Sequence, residues 1–133
     1  MSMNGDRPVR VLIVDDQPPF RNVARTVVGL TPGFEVVAEA ESGEDAVRLA
    51  AETSPDLVLM DINLPGINGI EAVRQITTAN DRTLAFLLST YAVTDLPADA
   101  RVCGASAYIN KEEFGPDVLE SLWESRGDPA WSA

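Results

Sequence analysis

Short apolar runs of strand length recur along the chain, and each is followed by a more polar segment. Residues 57–60 are four apolar residues without a polar break, as expected for a strand buried on both faces of a parallel sheet. Comparable runs occupy residues 9–14, 34–38, 84–88 and 105–109. The pattern therefore predicts five strands.

Between these runs, apolar residues recur at the spacing of an amphipathic helix. The first stripe, at positions i, i+3, i+4 and i+7, consists of Phe20, Val23, Ala24 and Val27. Further helices are predicted to begin near Ser42, Ile70 and Pro116. Residues 91–103 have a poor apolar face and contain Pro97, so only a short or irregular fourth helix is expected there. Five strands alternating with five helices predict an α/β fold, a doubly wound parallel sheet with helices on both faces.

The chain is of a suitable length for one domain, with 133 residues. We predict an N-terminal extension over residues 1–8, a folded domain over residues 9–125 and a loose tail over residues 126–133. The tail contains Trp131 and could either dock or be disordered, and disorder is the expectation for such a terminal segment.

Composition excludes several classes of function. Lys and Arg number 10 against 21 Asp and Glu, giving a net charge of −11, so direct binding to nucleic acid or to an anionic membrane is not expected. The sequence has no His, which excludes Ser-His and Cys-His catalysis and nearly every zinc site. Cys103 is the only cysteine, so no disulfide framework is expected. No secretory leader or membrane-spanning run is evident, and we predict a cytoplasmic protein.

Chemically active side chains follow four of the predicted strands. Asp15 and Asp16 follow the first strand, Asp61 the third, Ser89 the fourth and Lys111 the fifth. The carboxyl ends of parallel strands share one edge of the sheet, where ligands bind. Carboxylates about 4 Å apart would repel by roughly 4 kcal/mol per pair at an effective dielectric constant near 20, so such a cluster needs a cation or a proton. Oxygen ligands without His or Cys favour Mg²⁺ or Ca²⁺, and an incomplete set favours hydrated Mg²⁺.

The same set of side chains suits phosphoryl transfer. Lys111 can neutralise one phosphoryl oxygen, Ser89 can donate to another, and a Mg²⁺ ion can bridge to an attacking carboxylate. Asp61 as the nucleophile would then form an acyl phosphate.

Each of these residues also has a purely structural explanation. Asp15 and Asp16 could cap the following helix, and Ser89 could be satisfied by the backbone. Lys111 could be a solvated surface lysine, and Tyr108 an aromatic residue at the edge of the core. The presence of the complete set at four strand ends favours the functional interpretation.

Four segments resemble the receiver domain of bacterial two-component response regulators. They are residues 11–16, 59–70, 87–89 and 104–111, in this order and at the matching spacing. The resemblance extends over residues 9–125, nearly the whole chain. It implies a flavodoxin-like (βα)5 fold with strand order 2-1-3-4-5.

The resemblance also implies a role for each residue of the site. Asp61 would be the phosphoacceptor, with Ser89 and Lys111 holding the phosphoryl oxygens. The implied Mg²⁺ ligands are Asp15, Asp16, Asp61 and the backbone carbonyl of Asn63. A receiver of this kind is not an enzyme beyond its own phosphorylation and dephosphorylation.

Two further roles concern switching and the lifetime of the phosphoryl group. Tyr108 would change rotamer as Ser89 moves. Asn63 and Tyr91 occupy positions that influence loss of the phosphoryl group, and the bulk of Tyr91 is expected to screen it from attacking water.

The implied partners are proteins. They are a sensor histidine kinase or phosphotransfer protein, a downstream target bound through the last two helix–strand units, and a second copy of the chain on phosphorylation. Phosphorylation would bias that surface by adding about −1.5 to −2 charges at one point.

Departures from the pattern leave alternatives open. Glu112 follows Lys111 where receivers commonly have proline, which predicts a different loop. The alternatives are a constitutive interaction module that is never phosphorylated and a receiver that belongs to a longer DNA-binding regulator. A haloacid dehalogenase-type phosphatase would need an acid at Asn63, and a flavodoxin would need a Ser/Thr-rich phosphate loop after the first strand.

Overall fold

The computed structural model describes residues 7–131, which form one five-stranded parallel sheet covered by helices. The strands are β1 (Val9–Val14), β2 (Phe34–Ala40), β3 (Leu57–Asp61), β4 (Leu84–Ser89) and β5 (Ala107–Asn110). The α-helices are α1 (Pro18–Leu30), α2 (Gly43–Thr53), α3 (Gly69–Ala79) and α4 (Pro116–Glu124). The strand order is β2-β1-β3-β4-β5, so the predicted doubly wound topology is confirmed.

The sheet separates two apolar layers because successive side chains of a strand point to opposite faces. On one face, Leu12 and Val58 pack with residues of α2 and α3. On the other face, Ile13 and Leu59 pack with residues of α1 and α4. All five residues of β3 are buried, in agreement with the unbroken apolar run that predicted a central strand.

The register of the central strands brings the ends of β1, β3 and β4 together. Val14 of β1 pairs with Met60, and Asp61 pairs with Leu88 of β4. The start of α3 packs tightly against this edge, since a Cβ atom on Gly69 would lie 2.0 Å from the carbonyl oxygen of Asp61. The end of β3 is therefore fixed by backbone packing as well as by its strand pairs.

The fourth predicted helix is not an α-helix. Residues 91–103 contain two short 3-10 segments, Val93–Asp95 and Ala98–Val102. The expected short or irregular fourth helix is therefore confirmed. The physical reason is the poor apolar face of this segment together with Pro97, which precedes the second 3-10 turn.

The expectation of a loose tail is wrong for residues 126–131, which pack against the domain. The Asp128 N–H donates to the Ser106 carbonyl oxygen at 2.9 Å, and Trp131 is only 3% exposed. A large aromatic surface can hold a short terminal segment, and composition did not reveal where it would pack. Residues 1–6 and 132–133 lie outside the described range, and the predicted boundaries of the extension, domain and tail stay predictions.

None of the helices within residues 7–131 has the length and apolar character needed to span a bilayer.

Candidate functional site

Three carboxylates meet at the carboxyl edge of the sheet. Asp15 and Asp16 follow β1, Asp61 ends β3, and one oxygen atom from each lies within 4.8 Å of the others. Asp15 and Asp61 are buried, whereas Asp16 is exposed. The adjacent strands β1 and β3 thus bring Asp61 close to Asp15 and Asp16, which lie 45 or more positions earlier in the sequence. The three carboxylates form a group that could hold a metal ion with oxygen ligands.

Lys111 links two of these carboxylates from the end of β5. Its Nζ donates to Asp15 Oδ2 at 2.7 Å and lies 3.3 Å from Asp61 Oδ1. The ammonium group also lies 4.5 Å from the ring centroid of Phe20, in the first turn of α1. The lysine is therefore oriented by an acidic pair and an aromatic face rather than by solvent.

Glu112, at the position where receivers commonly have proline, lies in the turn that includes Lys111. Residues Lys111–Glu113 form a 3-10 turn, and the Glu112 N–H donates to Asn110 Oδ1 at 2.9 Å. A proline could not make this bond because it has no N–H. Lys111 reaches Asp15 and Asp61 from this loop.

Burial and charge shift the pKa values of the two central groups. Burial, and then the negative charge of Asp15, raise the pKa of Asp61 to about 6, against the lowering effects of Lys111 and of the Asn63 N–H. Burial lowers the pKa of Lys111, but its bonds and charge interactions with Asp15 and Asp61 raise it further, so the net shift is upward. The site therefore holds a cationic lysine beside carboxylates that repel one another, which favours binding of a further cation.

Ser89 and Tyr108 form a hydrogen-bonded unit beside this group. Ser89 ends β4 and is buried, and its Oγ accepts the Tyr91 N–H at 3.1 Å. The Tyr108 hydroxyl is directed at the carbonyl oxygens of Ser89, at 3.0 Å, and of Tyr91. Asn110 Nδ2 donates to the same Tyr91 carbonyl oxygen at 3.2 Å. The backbone of residues 89–91 is thus held by two side chains of β5.

Two of the expected residues lie at the rim of the site. Asn63 is exposed, and its backbone N–H lowers the pKa of the Asp61 carboxyl group. Tyr91 is 41% exposed, although its backbone is held as described above. Every site residue expected from the sequence is therefore at or beside the same strand edge.

Sequence reasoning missed Glu44 and Asn110. Glu44, in the first turn of α2, accepts the Ile67 N–H at 3.1 Å and so holds the loop that follows Asp61. This contact joins residues 23 positions apart, and no local pattern indicates it. Asn110 caps the turn after β5, a role that the preference of Asn for turns could have suggested.

Comparison with known protein families matches residues 11–123 to the response regulator receiver domain. The chain belongs to this family. It is a receiver domain of two-component response regulators, and receiver domains are signalling domains.

Curated relatives of this receiver domain are longer proteins. The chain is 31% identical over 125 residues to the nitrate/nitrite response regulator protein NarL of Escherichia coli K12, a match that covers 92% of this chain and 57% of NarL. It is 33% identical over 117 residues to the transcriptional regulatory protein DegU of Brevibacillus brevis, covering 88% of this chain and 50% of DegU. The chain therefore spans about half the length of the curated relatives it matches.

Solved structures support the same family. A two-component response regulator of the LuxR family from Aurantimonas sp. SI85-9A1 superposes with a TM-score of 0.80 at 35% identity, covering 90% of this chain and 84% of that one. The response regulator domain of Thermotoga maritima CheB superposes with a TM-score of 0.78 at 31% identity, covering 92% and 100%. The receiver fold predicted from the sequence is thus confirmed.

Proposed function

We propose that this receiver domain accepts a phosphoryl group on Asp61 in a Mg²⁺-dependent reaction and thereby switches a protein-docking face. The observation that carries the proposal is the position of the buried Asp61 carboxylate, 3.3 Å from the Lys111 ammonium and grouped with two further acids. Burying an acid beside like charges lowers the stability of the fold unless a cation or a proton offsets the charge. Such groups are therefore typical of sites that bind a cation or supply a nucleophile.

The donor set fits Mg²⁺. The group contributes carboxylate oxygens only, and Asp16 is open to solvent, which leaves coordination positions for water and for a phosphoryl oxygen. The residues that would hold the ion are Asp15, Asp16, Asp61 and the backbone carbonyl of Asn63. When bound, the ion supplies positive charge that offsets the charge of the incoming phosphoryl oxygens.

The protein's own residues perform the transfer as follows. A carboxylate oxygen of Asp61 attacks the phosphorus atom of the donor, and the bond from phosphorus to the leaving group breaks with its electron pair. Lys111 neutralises one transferred oxygen, and the Ser89 hydroxyl donates to another. The product is an acyl phosphate, which water later hydrolyses to restore the carboxylate.

Asn63 and Tyr91 would set how long that product survives. Both are exposed residues near the strand ends, and the bulk of Tyr91, two positions after Ser89, would limit the approach of water. We propose that the self-catalysed gain and loss of the phosphoryl group are the only reactions of this domain.

The proposed partners are a sensor histidine kinase or phosphotransfer protein as donor and a downstream protein that binds the last two helix–strand units. A second copy of the chain is a further partner in the phosphorylated state. Direct binding to nucleic acid by this domain is disfavoured by the net charge of −11. The cytoplasmic location expected from the sequence stays a prediction.

A second candidate function is that of the receiver portion of a longer DNA-binding regulator. The specific observation in its favour is that matched relatives named as transcriptional or response regulators are about twice as long as the match. Both candidates use the same phosphoacceptor. A constitutive module without phosphorylation is the less favoured alternative, because the set Asp15, Asp16, Asp61, Ser89 and Lys111 is complete.

The test is an intact-mass assay with acetyl phosphate, with and without Mg²⁺. We expect wild type to gain one phosphoryl group only with Mg²⁺, and Asp61→Asn to gain none. Asp81→Asn is the matched control, because Asp81 is an exposed acid in the turn before β4, at the opposite edge of the sheet. No gain by wild type, with Mg²⁺ binding established by titration, would contradict the proposal and favour the constitutive module.

A further inference from the structure

The last described residues form an ordered segment that lies against β5. We define the C-terminal segment as residues 127–131. Trp131 is 3% exposed, and its ring stacks on the Tyr108 ring with centroids 6.0 Å apart and an interplanar angle of 30°. The Arg101 guanidinium lies 4.5 Å from the centroid of the Trp131 ring, and Arg101 Nη1 donates to the Trp131 carbonyl oxygen at 3.1 Å.

The backbone turns back towards β5 in a defined way. Arg126 adopts a left-handed conformation, φ 59°, and ends α4 with a bond from its N–H to the Trp123 carbonyl oxygen at 3.1 Å. Gly127 has φ 120°, and a Cβ atom there would lie 2.5 Å from the Ser106 carbonyl oxygen. The Asp128 N–H donates to this Ser106 carbonyl oxygen at 2.9 Å. The segment therefore occupies a site on the domain rather than extending into solvent.

The surface on which the C-terminal segment lies includes Tyr108, the residue expected to change rotamer in the proposed switch. We define the Tyr108 face as the surface formed by Arg101, Ser106 and Tyr108. One side of the Tyr108 ring contacts Trp131, while its hydroxyl is directed at the carbonyl oxygens of Ser89 and Tyr91. A single aromatic side chain thus connects the C-terminal segment to the phosphoryl site.

Docking of the segment has opposing contributions. Trp131 Nε1 is buried without a hydrogen-bond partner within residues 7–131, and such a group costs stability. The segment belongs to no helix or strand, and holding its backbone in one conformation costs conformational entropy. Stacking on Tyr108 and the Arg101 contacts oppose these costs, so docking depends on the position of the Tyr108 ring.

Phosphorylation would change the position of the Tyr108 ring. In the structure, Ser89 Oγ accepts the Tyr91 N–H at 3.1 Å. If Ser89 Oγ moves to bring its hydroxyl proton to a phosphoryl oxygen on Asp61, the Tyr91 N–H bonded to it and the backbone of residues 89–91 move with it. Both acceptors of the Tyr108 hydroxyl are carbonyls of that same stretch, so their movement displaces the ring against which Trp131 packs.

We propose that the C-terminal segment is an intramolecular ligand of the Tyr108 face, docked while Asp61 is unmodified and released when Asp61 carries a phosphoryl group. The inference rests on the proposed phosphorylation of Asp61. Release uncovers the Tyr108 ring and the Arg101 guanidinium, a pair that fits an aromatic side chain of a protein partner. The segment would therefore compete with the partner until the phosphoryl group arrives.

The coupling must work in both directions. If the phosphoryl group weakens docking of the segment by some factor, then the docked segment weakens binding of a phosphoryl analogue by the same factor, so a variant with weaker docking should bind the analogue more tightly. Arg101→Gln removes the guanidinium from the Trp131 ring and from its carbonyl oxygen, yet Arg101 lies outside the phosphoryl site. This variant should bind beryllofluoride with Mg²⁺ about fivefold more tightly than wild type, at the lower end of typical coupling factors.

The direct test measures the exposure of Trp131 by acrylamide quenching of its fluorescence. The sequence has two tryptophans, so Trp123→Phe leaves Trp131 as the only tryptophan, which is excited selectively at wavelengths where tyrosine does not absorb. We expect weak quenching in the unmodified chain, several-fold stronger quenching with Mg²⁺ and beryllofluoride, and no increase in an additional Asp61→Asn variant. Arg101→Gln should raise the quenching before any analogue is added.

The outcomes separate this inference from the proposed function. An intact-mass assay with acetyl phosphate on the Trp123→Phe chain reports phosphorylation independently of the segment. A gain of the phosphoryl group with unchanged Trp131 quenching overturns the inference and leaves the proposed function standing. No gain overturns both. Quenching that depends on protein concentration would show docking between two copies and would overturn the intramolecular form.

Discussion

The two halves of the sheet are built differently. Helices α2 and α3 begin at side-chain caps, Ser42 and Asn68, and bury regular apolar faces on the sheet. Between β4 and β5 the chain forms 3-10 turns instead of an α-helix, and Tyr91, Val93 and Val102 are 41%, 47% and 78% exposed. The first half has the regular packing of a rigid support, and the second has the shallow packing of a region that opens at low cost.

This difference corresponds to two roles in the site. The acids Asp15, Asp16 and Asp61 come from β1 and β3, where strand pairing and Gly69 fix the backbone. Ser89, Tyr108 and Lys111 come from β4 and β5, and a few hydrogen bonds from Tyr108 and Asn110 hold the backbone after β4. Like charges need a rigid frame because they repel one another, whereas a switch needs a region with two accessible arrangements.

The largest expected effect tests the rigid half. Gly69→Ala would bring a Cβ atom 2.0 Å from the Asp61 carbonyl oxygen, a clash with backbone that cannot relax through a rotamer. We expect the free energy of unfolding to fall by at least about 3 kcal/mol in urea denaturation. Gly29→Ala is the matched control, because nothing lies within 4 Å of its Cβ position in α1, and it should be neutral or stabilising. Equal effects of the two variants would refute the packing argument.

A smaller effect tests the electrostatic strain within that frame. The pKa of Asp61 is about 6 in the folded chain against 3.8 ordinarily, so the folded state binds this proton more tightly and loses stability as pH rises between these values. Without metal ions, Asp61→Asn should therefore raise the free energy of unfolding by about 2–3 kcal/mol near pH 8 and by little near pH 4.

The measurement is urea denaturation of wild type and Asp61→Asn in the presence of a chelator, across that pH range. Asp81→Asn serves again as the exposed control and should show no such dependence. A stabilisation by Asp61→Asn that is the same at both pH values would contradict the assigned cause.

The smallest effect tests the second half. Trp131→Ala removes a buried aromatic ring, yet it should lower the free energy of unfolding by only about 1–2 kcal/mol. The segment can undock without unfolding the sheet, so the decrease cannot exceed the free energy of docking. Ile70→Ala in α3, a smaller side chain with 1% exposure, should cost about 2–5 kcal/mol. If Trp131→Ala proved the more costly in urea denaturation, the C-terminal segment would be part of the cooperative core.

The site was predicted better than the chain's periphery, for a physical reason. Asp15, Asp61 and Ser89 each end an apolar run, and parallel strands necessarily bring such ends to one edge, so local pattern and topology agree. Glu44 and Trp131 act through contacts 20 or more residues away in sequence, with Ile67 and with Tyr108 and Arg101 respectively. No periodicity encodes such contacts, and the expected loose tail was wrong for that reason.

By itself, the sequence determined the five strands, their buried character and the identity of the residues at the strand ends. Unbroken apolar runs and helical apolar stripes are local properties, and together they suffice to predict a doubly wound sheet and its functional edge. Only the tertiary structure decided that Lys111 contacts both Asp15 and Asp61, that residues 91–103 form 3-10 turns, and that Trp131 stacks on Tyr108. Those features depend on the distances between elements, which packing sets and local pattern does not.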